Sequence, residues 1–125
     1  MAGPDEVWTM EERLWTGGRA AYEGAVSAEA VFAFPSGLMA GNGFVAGLPE
    51  AAGWASVEMG ERREGAPSPD LRVIAYSAIG TKPDGAIYRT LCSSTYVRSG
   101  EGWQLVQHSQ TPMPDGDRDG ECDGE

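Results

Sequence analysis

The sequence predicts an α+β domain: early helices pack on a mostly antiparallel sheet built from the second half of the chain. Three observations carry this. Apolar side chains recur with a helical period from residue 5 to about residue 26. Residues 88–112, YRTLCSSTYVRSGEGWQLVQHSQTP, read as two strand-like runs around the turn Ser99-Gly100-Glu101-Gly102. A third run, Leu71 to Thr81, alternates and ends at Lys82-Pro83-Asp84-Gly85, whose Asp-Gly pair signals a hairpin. Helices first and strands last give a layered α+β domain.

The elements follow in order. Asp5 can cap the first helix, and Glu6, Glu11 and Glu12 suit its positive end. Val7, Met10, Leu14, Ala21 and Ala25 form its apolar stripe, with Trp8, Trp15 and Tyr22 recurring every seven residues beside it. Gly17-Gly18 weakens the middle by about 1 kcal/mol per glycine relative to alanine. The pair either admits another element closely or splits the helix. Val31 to Phe34 is strand-like, Pro35-Ser36-Gly37 is turn chemistry, and Leu38 to Ala40 pairs back. Asn42 is an N-cap for a short helix from Gly43 to about Ala52, interrupted by Pro49 and followed by Trp54. Ala55 to Arg63 alternates as a strand, and Glu64 to Asp70 reads as a loop. In the next strand Leu71, Val73, Ala75, Ser77 and Ile79 share one face; Arg72, Ile74, Tyr76 and Ala78 share the other.

A chain of 125 residues suits one core. The net charge of −10 argues against nucleic acid or an anionic membrane as partner. From Asp115 onward six carboxylates and Arg118 give −5, half of that total, so the body is only mildly acidic. Residues 1–113 are expected to form the domain and 114–125 a disordered acidic tail. No apolar run of about 18 residues is present, so no membrane span is expected. No signal peptide is expected from MAGPDEVW, and two cysteines, Cys92 and Cys122, make no disulfide framework. A reducing, cytoplasmic setting fits. In the tail, Asp115-Gly116-Asp117-Arg118-Asp119-Gly120 matches the start of a calcium loop. The closing acid would fall at position 126, beyond Glu125, so no metal site is expected.

Several motifs together resemble a known family. These are E-x-x-L-W (Glu11, Leu14, Trp15), F-P-x-G-x-x-x-G (Phe34 to Gly41), and a helix followed by Trp54. The meander then carries Y-x-x-x-C-S-S-x-Y (Tyr88 to Tyr96) and W-x-L-V-x-H-x-Q-T-P (Trp103 to Pro112). Over residues 5 to 113 the chain resembles the nuclear transport factor 2-like superfamily, most of all its bacterial SnoaL-like and domain-of-unknown-function branches. The resemblance implies a cone of helices closing over a strongly curved sheet, an internal pocket, and usually a homodimer. The superfamily includes ketosteroid isomerases, polyketide cyclases, dehydratases and pocket proteins without assigned activity, so fold alone selects no function. In the isomerases a general-base Asp precedes the Pro of the first strand-turn. Here that position is Phe34, which cannot take a proton. Some cyclases carry an acid on the last strand, where this chain has His108, Ser109 and Gln110.

His108, the only imidazole, is the candidate catalytic residue. Alternation puts it on the face of Val106 and Gln110, opposite Leu105, Gln107 and Ser109. It is either an acid/base group or ligand donor inside the cone, or a hydrogen-bonded partner within the sheet. The second reading is preferred, because a catalytic His usually has an orienting carboxylate and this hairpin's strands carry none. Gln107 and Gln110 each need partners if buried, and either faces a ligand or a dimer interface. Cys92, mid-strand, reads as a small core residue rather than a nucleophile. Among the aromatic residues Trp15, Trp54, Tyr76, Tyr88 and Tyr96, most fill the core, and Trp54 and Tyr76 are the pocket candidates.

The expectation is therefore a dimeric, cofactor-free protein with Trp54, Tyr76, His108 and Gln110 lining a pocket for an apolar or aromatic small molecule. The alternatives are an isomerase, cyclase or dehydratase using His108 as acid/base, and a homodimeric interaction module.

Overall fold

The structure is a computed structural model that describes residues 5–48, 54–100 and 102–113. The acidic tail, Cys122, Pro49 and the side chains expected to cap helices at Asp5 and Asn42 lie outside the described residues. The apolar stripe forms two helices, α1 (Asp5–Thr16) and α2 (Gly18–Ala25). The break sits at the glycine pair. Gly18 has φ +73°, which favours glycine, and a Cβ on Gly17 would stand 2.7 Å from both the Arg13 carbonyl and the Ala21 Cβ.

Strands β1 (Val26–Phe34) and β2 (Gly37–Ala40) form the first hairpin. A short helix, α3 (Gly41–Ala46), follows, with Ala40 at the N-cap position. Asn42 thus lies within the helix and is not its cap. Strands β3 (Ser56–Ser68), β4 (Leu71–Thr81), β5 (Ile87–Ser99) and β6 (Gly102–Pro112) make the meander. The order across the sheet is β2-β1-β6-β5-β4-β3, antiparallel except for the β1–β6 pair. The result is an α+β domain with helices on one face of a curled sheet.

β3 is longer than expected and absorbs most of the segment read as a loop. It has two irregularities against β4, at Gly60–Arg63 and Gly65–Ser68, with Glu61 at φ +42° in the first. As an edge strand, β3 needs hydrogen bonds on one side only, so Pro67 and these bulges are tolerated.

The irregularity that matters most lies in β6. Thr95 pairs with Gln107, but the next residue, Tyr96, pairs with Leu105, leaving Val106 as an extra residue. The bulge shifts the phase of β6, so Leu105 and His108 are both buried although three residues apart. This corrects the expectation from strict alternation, which set them on opposite faces.

The core lies between the helices and the inner sheet face. Val7, Trp8, Leu14 and Trp15 of α1 meet Ile74, Tyr76, Cys92, Tyr96, Leu105 and Phe32. Gly80 of β4 is buried beneath two tryptophans. A Cβ there would be 2.8 Å from Trp54 Cε3 and 3.0 Å from Trp15 Cζ3. Gly80→Ala is therefore expected to push these rings apart and destabilise the fold by about 1–3 kcal/mol. Urea unfolding would measure it; an unchanged midpoint would refute this tight packing.

Candidate functional site

The site is built on Glu11. Positions 7, 8, 11, 14 and 15 share one helical face, and four of them are apolar, so Glu11 is carried into the core with Val7, Trp8, Leu14 and Trp15. It is 0% exposed. A buried carboxylate is tolerated only if hydrogen-bonded. Tyr76 donates to Oε2 at 2.6 Å and Ser94 to the same oxygen at 2.7 Å, while Tyr96 donates to Oε1 at 2.6 Å. His108 Nδ1 stands 3.2 Å from Oε2. Burial is the largest influence on the Glu11 pKa and raises it. The His108 contact and the tyrosine hydroxyls outweigh it together and hold the carboxyl below its ordinary value.

The surrounding hydroxyls respond oppositely. Burial first, and then the Glu11 charge, raises the pKa of Tyr76 and Tyr96, so both remain proton donors. Trp15 Nε1 donates to the Tyr76 oxygen at 3.1 Å and locks that ring.

His108 sits between this cluster and a polar chain leading outward. Ser94 Oγ is 2.7 Å from Nδ1, and Gln110 Nε2 is 3.1 Å from Nε2. Tyr88 donates to Gln110 Oε1 at 3.1 Å. Because Ser94 gives its one proton to Glu11, Nδ1 must carry a proton and donate to Ser94. Nε2 then accepts from Gln110, as a neutral imidazole can. Turning the Gln110 amide over would let its oxygen accept from an Nε2–H, at the cost of the acceptor that Tyr88 uses.

Beyond this chain opens a cavity of about 320 Å³. Its walls include Trp15, Tyr22, Phe34, Phe44 and Trp54, with Gln110, Arg19 and Ser36 among its polar lining. Trp54 is held by stacking on Tyr88, with centroids 5.4 Å apart, and by a tilted contact with Trp15 at 5.3 Å. A second, smaller cavity of about 20 Å³ shares Trp15, Tyr22, Trp54 and Gln110 with the first and also touches Glu11 and His108. It has room for one water beside the carboxylate–histidine pair.

The structure thus brings Trp54, His108 and Gln110 around connected space. Tyr76 lines neither of these two cavities, and its hydroxyl is engaged by Glu11 and Trp15. Gln107 accepts from Thr95 at 3.0 Å. Burial chiefly pushes the Cys92 thiol up to about 12, which leaves no thiolate for nucleophilic attack near neutral pH. Among the described residues, no group of three or more His, Cys, Asp and Glu side chains is placed to hold a metal ion. The residue missed by sequence reasoning is Glu11, the carboxylate His108 lacked when only its own hairpin was considered. Its signal was a charge on the apolar face of α1.

Glu11→Ala would leave the Tyr76, Tyr96 and Ser94 hydroxyls without their acceptor. It should destabilise the protein by about 3 kcal/mol or more. The folded pKa of Glu11 lies below its unfolded value, so its contribution is present above the ordinary carboxylate range, about pH 4.3. That contribution is lost as pH falls through the lower folded value. Denaturation midpoints from neutral to acidic pH should therefore fall less steeply in Glu11→Gln than in wild type. Identical slopes would rule out an ionised, donor-held Glu11.

No protein-family model matches the chain, and no curated protein matches it. Solved structures do. A nuclear transport factor 2-like protein of unknown function in nutrient uptake from Rhodospirillum rubrum is 17% identical, with TM-score 0.72, covering 88% of this chain and 100% of that one. A nuclear transport factor 2-like protein from Cytophaga hutchinsonii is 12% identical, with TM-score 0.73 over 90% of this chain and 100% of that one. The CaMKII hub homology domain from Chlamydomonas reinhardtii is 17% identical, with TM-score 0.73 and the same coverages of 90% and 100%. At these identities the likeness is one of architecture, and by that architecture the chain has the nuclear transport factor 2-like fold.

Proposed function

We propose that the protein binds a small, largely apolar or aromatic molecule in the 320 Å³ cavity. One observation carries this reading. Aromatic walls from α1, α2, β1, α3 and Trp54 converge on Gln110, which is tied to a histidine backed by a buried carboxylate. Mostly apolar walls with a few fixed polar groups are the usual make-up of a ligand site. The reading needs no cofactor. The free, buried Cys92 thiol supports the cytoplasmic part of the reading.

A second reading is an isomerase, cyclase or dehydratase acting on a small organic substrate, with His108 as acid/base. The Glu11–His108 contact favours it, because a carboxylate at Nδ1 orients the ring and leaves Nε2 toward the cavity side. Thermal-shift screening with apolar ring compounds tests both. Some compounds should raise the unfolding temperature of wild type and do so less in Trp54→Ala. If none shifts it, the pocket reading fails. Turnover of a binding compound by wild type, lost in His108→Ala, would favour the enzyme; unchanged turnover would remove His108 from that role.

We also infer a homodimer through the outer sheet face. Val31, Val73 and Leu91 are 56%, 38% and 48% exposed there, and solved structures of this fold include a CaMKII association domain. Sedimentation should give twice the chain mass, and Leu91→Lys should shift the protein to monomer. A wild-type monomer at high protein concentration would refute it.

A further inference from the structure

The outer face of the sheet carries a groove of about 490 Å³ at its β1–β2 end, lined by Val31, Ala33, Leu38, Ala40 and Gln107 among others. The strand register sets these walls in two rows that cross five strands. One row runs Ala40, Val31, Gln107, Thr95, Val73, and the next runs Leu38, Ala33, Ser109, Ser93, Ala75. β6 is the middle strand of the five. Neither row holds a charged side chain, although 22% of the chain is charged, and interface centres are depleted of charge in this way. Turning the face over about β6 sets large side chains against small ones. Leu38 then faces Ala75, Val73 faces Ala40, Val31 faces Thr95, and Ala33 faces Ser93. The face is thus complementary to a copy of itself, which is what a two-fold interface requires.

The polar groups in the middle strand point the same way. The Ser93 and Ser109 hydroxyls lie 2.8 Å apart, and one proton serves that contact, so the other is unspent. Gln107 accepts from Thr95 through Oε1 at 3.0 Å, and its Nε2 has no hydrogen-bond partner among the described residues. An apolar partner covering β6 would leave these donors unmatched, at a cost. A second copy brings a hydroxyl and an amide oxygen to the same two places. We propose that two copies pack through this face about a two-fold axis running along β6. Ser109 and Gln107 each meet their own counterpart there, while β4 and β5 of one copy lie over β2 and β1 of the other. This rests on the homodimer reading and gives it an axis and a set of contacts. The groove also touches Phe32 and His108, so the second copy covers the sheet behind the Glu11–His108 pair.

Single cysteines on the outer face read the axis directly. In a Cys122→Ser background the other native thiol is Cys92, which is buried. A short bis-maleimide spans the ~10 Å between packed sheets only where two cysteines stand opposite each other. Ser109→Cys, on the axis, should give a covalent dimer. Ser77→Cys, on β4, sets its two copies apart by four strand spacings, about 19 Å, and should stay uncrosslinked. Leu38→Glu, at the exposed rim of the groove, should weaken dimerisation in sedimentation by about tenfold or more, because the contact would bury a charge. A dimer that fails to crosslink through Ser109→Cys, that crosslinks equally through Ser77→Cys, or that is indifferent to Leu38→Glu overturns this axis and leaves the homodimer standing. A wild-type monomer at high protein concentration overturns both.

Discussion

A carboxylate buried away from bulk solvent fixes this structure. Glu11 cannot be buried unless hydroxyl donors reach it, and they come from β4, β5 and, through His108, β6. One side chain of α1 therefore fixes where the helix lies on three strands. It also fixes register. Slipping β4 or β5 by one residue would turn Tyr76, Ser94 and Tyr96 to the outer face and leave the charge unpaired. Apolar packing alone would be more forgiving, since Val, Leu and Ile exchange places at modest cost.

The bulge at Val106 belongs to the same constraint. Without it, His108 would point away from Glu11 while Leu105 stayed in the core. The extra residue lets a single strand present an apolar side chain at one level and an imidazole at the next. The two ends of β6 then serve different purposes. Toward Gly102, Trp103 is buried between the guanidinium groups of Arg72 and Arg98, at 4.9 and 4.5 Å, which closes that end. Trp103 Nε1 has no hydrogen-bond partner among the described residues, and the ring is held by core packing together with the two cation–π contacts. Toward Pro112, Gln110 meets open space lined with aromatic rings.

Legibility in the sequence followed the range of the interactions. The β5–β6 hairpin, the face assignments of β4 and the weak point at Gly17-Gly18 depend on local periodicity and turn chemistry, and the residues show them directly. The length of β3 was hidden because Pro67 and Gly65 speak for a loop, and only its place at the sheet edge makes them acceptable. The phase of His108 was hidden because alternation assumes no bulge, and nothing in QLVQHSQ marks where one falls. Glu11 was hidden by a plausible local explanation, since an acid early in a helix suits the helix dipole. Its position among Val7, Trp8, Leu14 and Trp15 was the contrary signal, and it becomes decisive only when Tyr76, Ser94 and Tyr96 are seen to converge on it.

The same arrangement limits the chemistry available. The residue before Pro35 is Phe34, whose ring stacks on Phe32 at 5.6 Å and lies 5.9 Å from the His108 ring, so β1 supplies an apolar wall to the histidine. The carboxylate comes from α1 instead, where it is saturated with donors. A carboxylate in that state is a poor base toward a ligand, because accepting a proton would cost it the contacts that hold it. It acts by orienting His108. The imidazole that it holds reaches Gln110 through Nε2, at the edge of the aromatic-lined space.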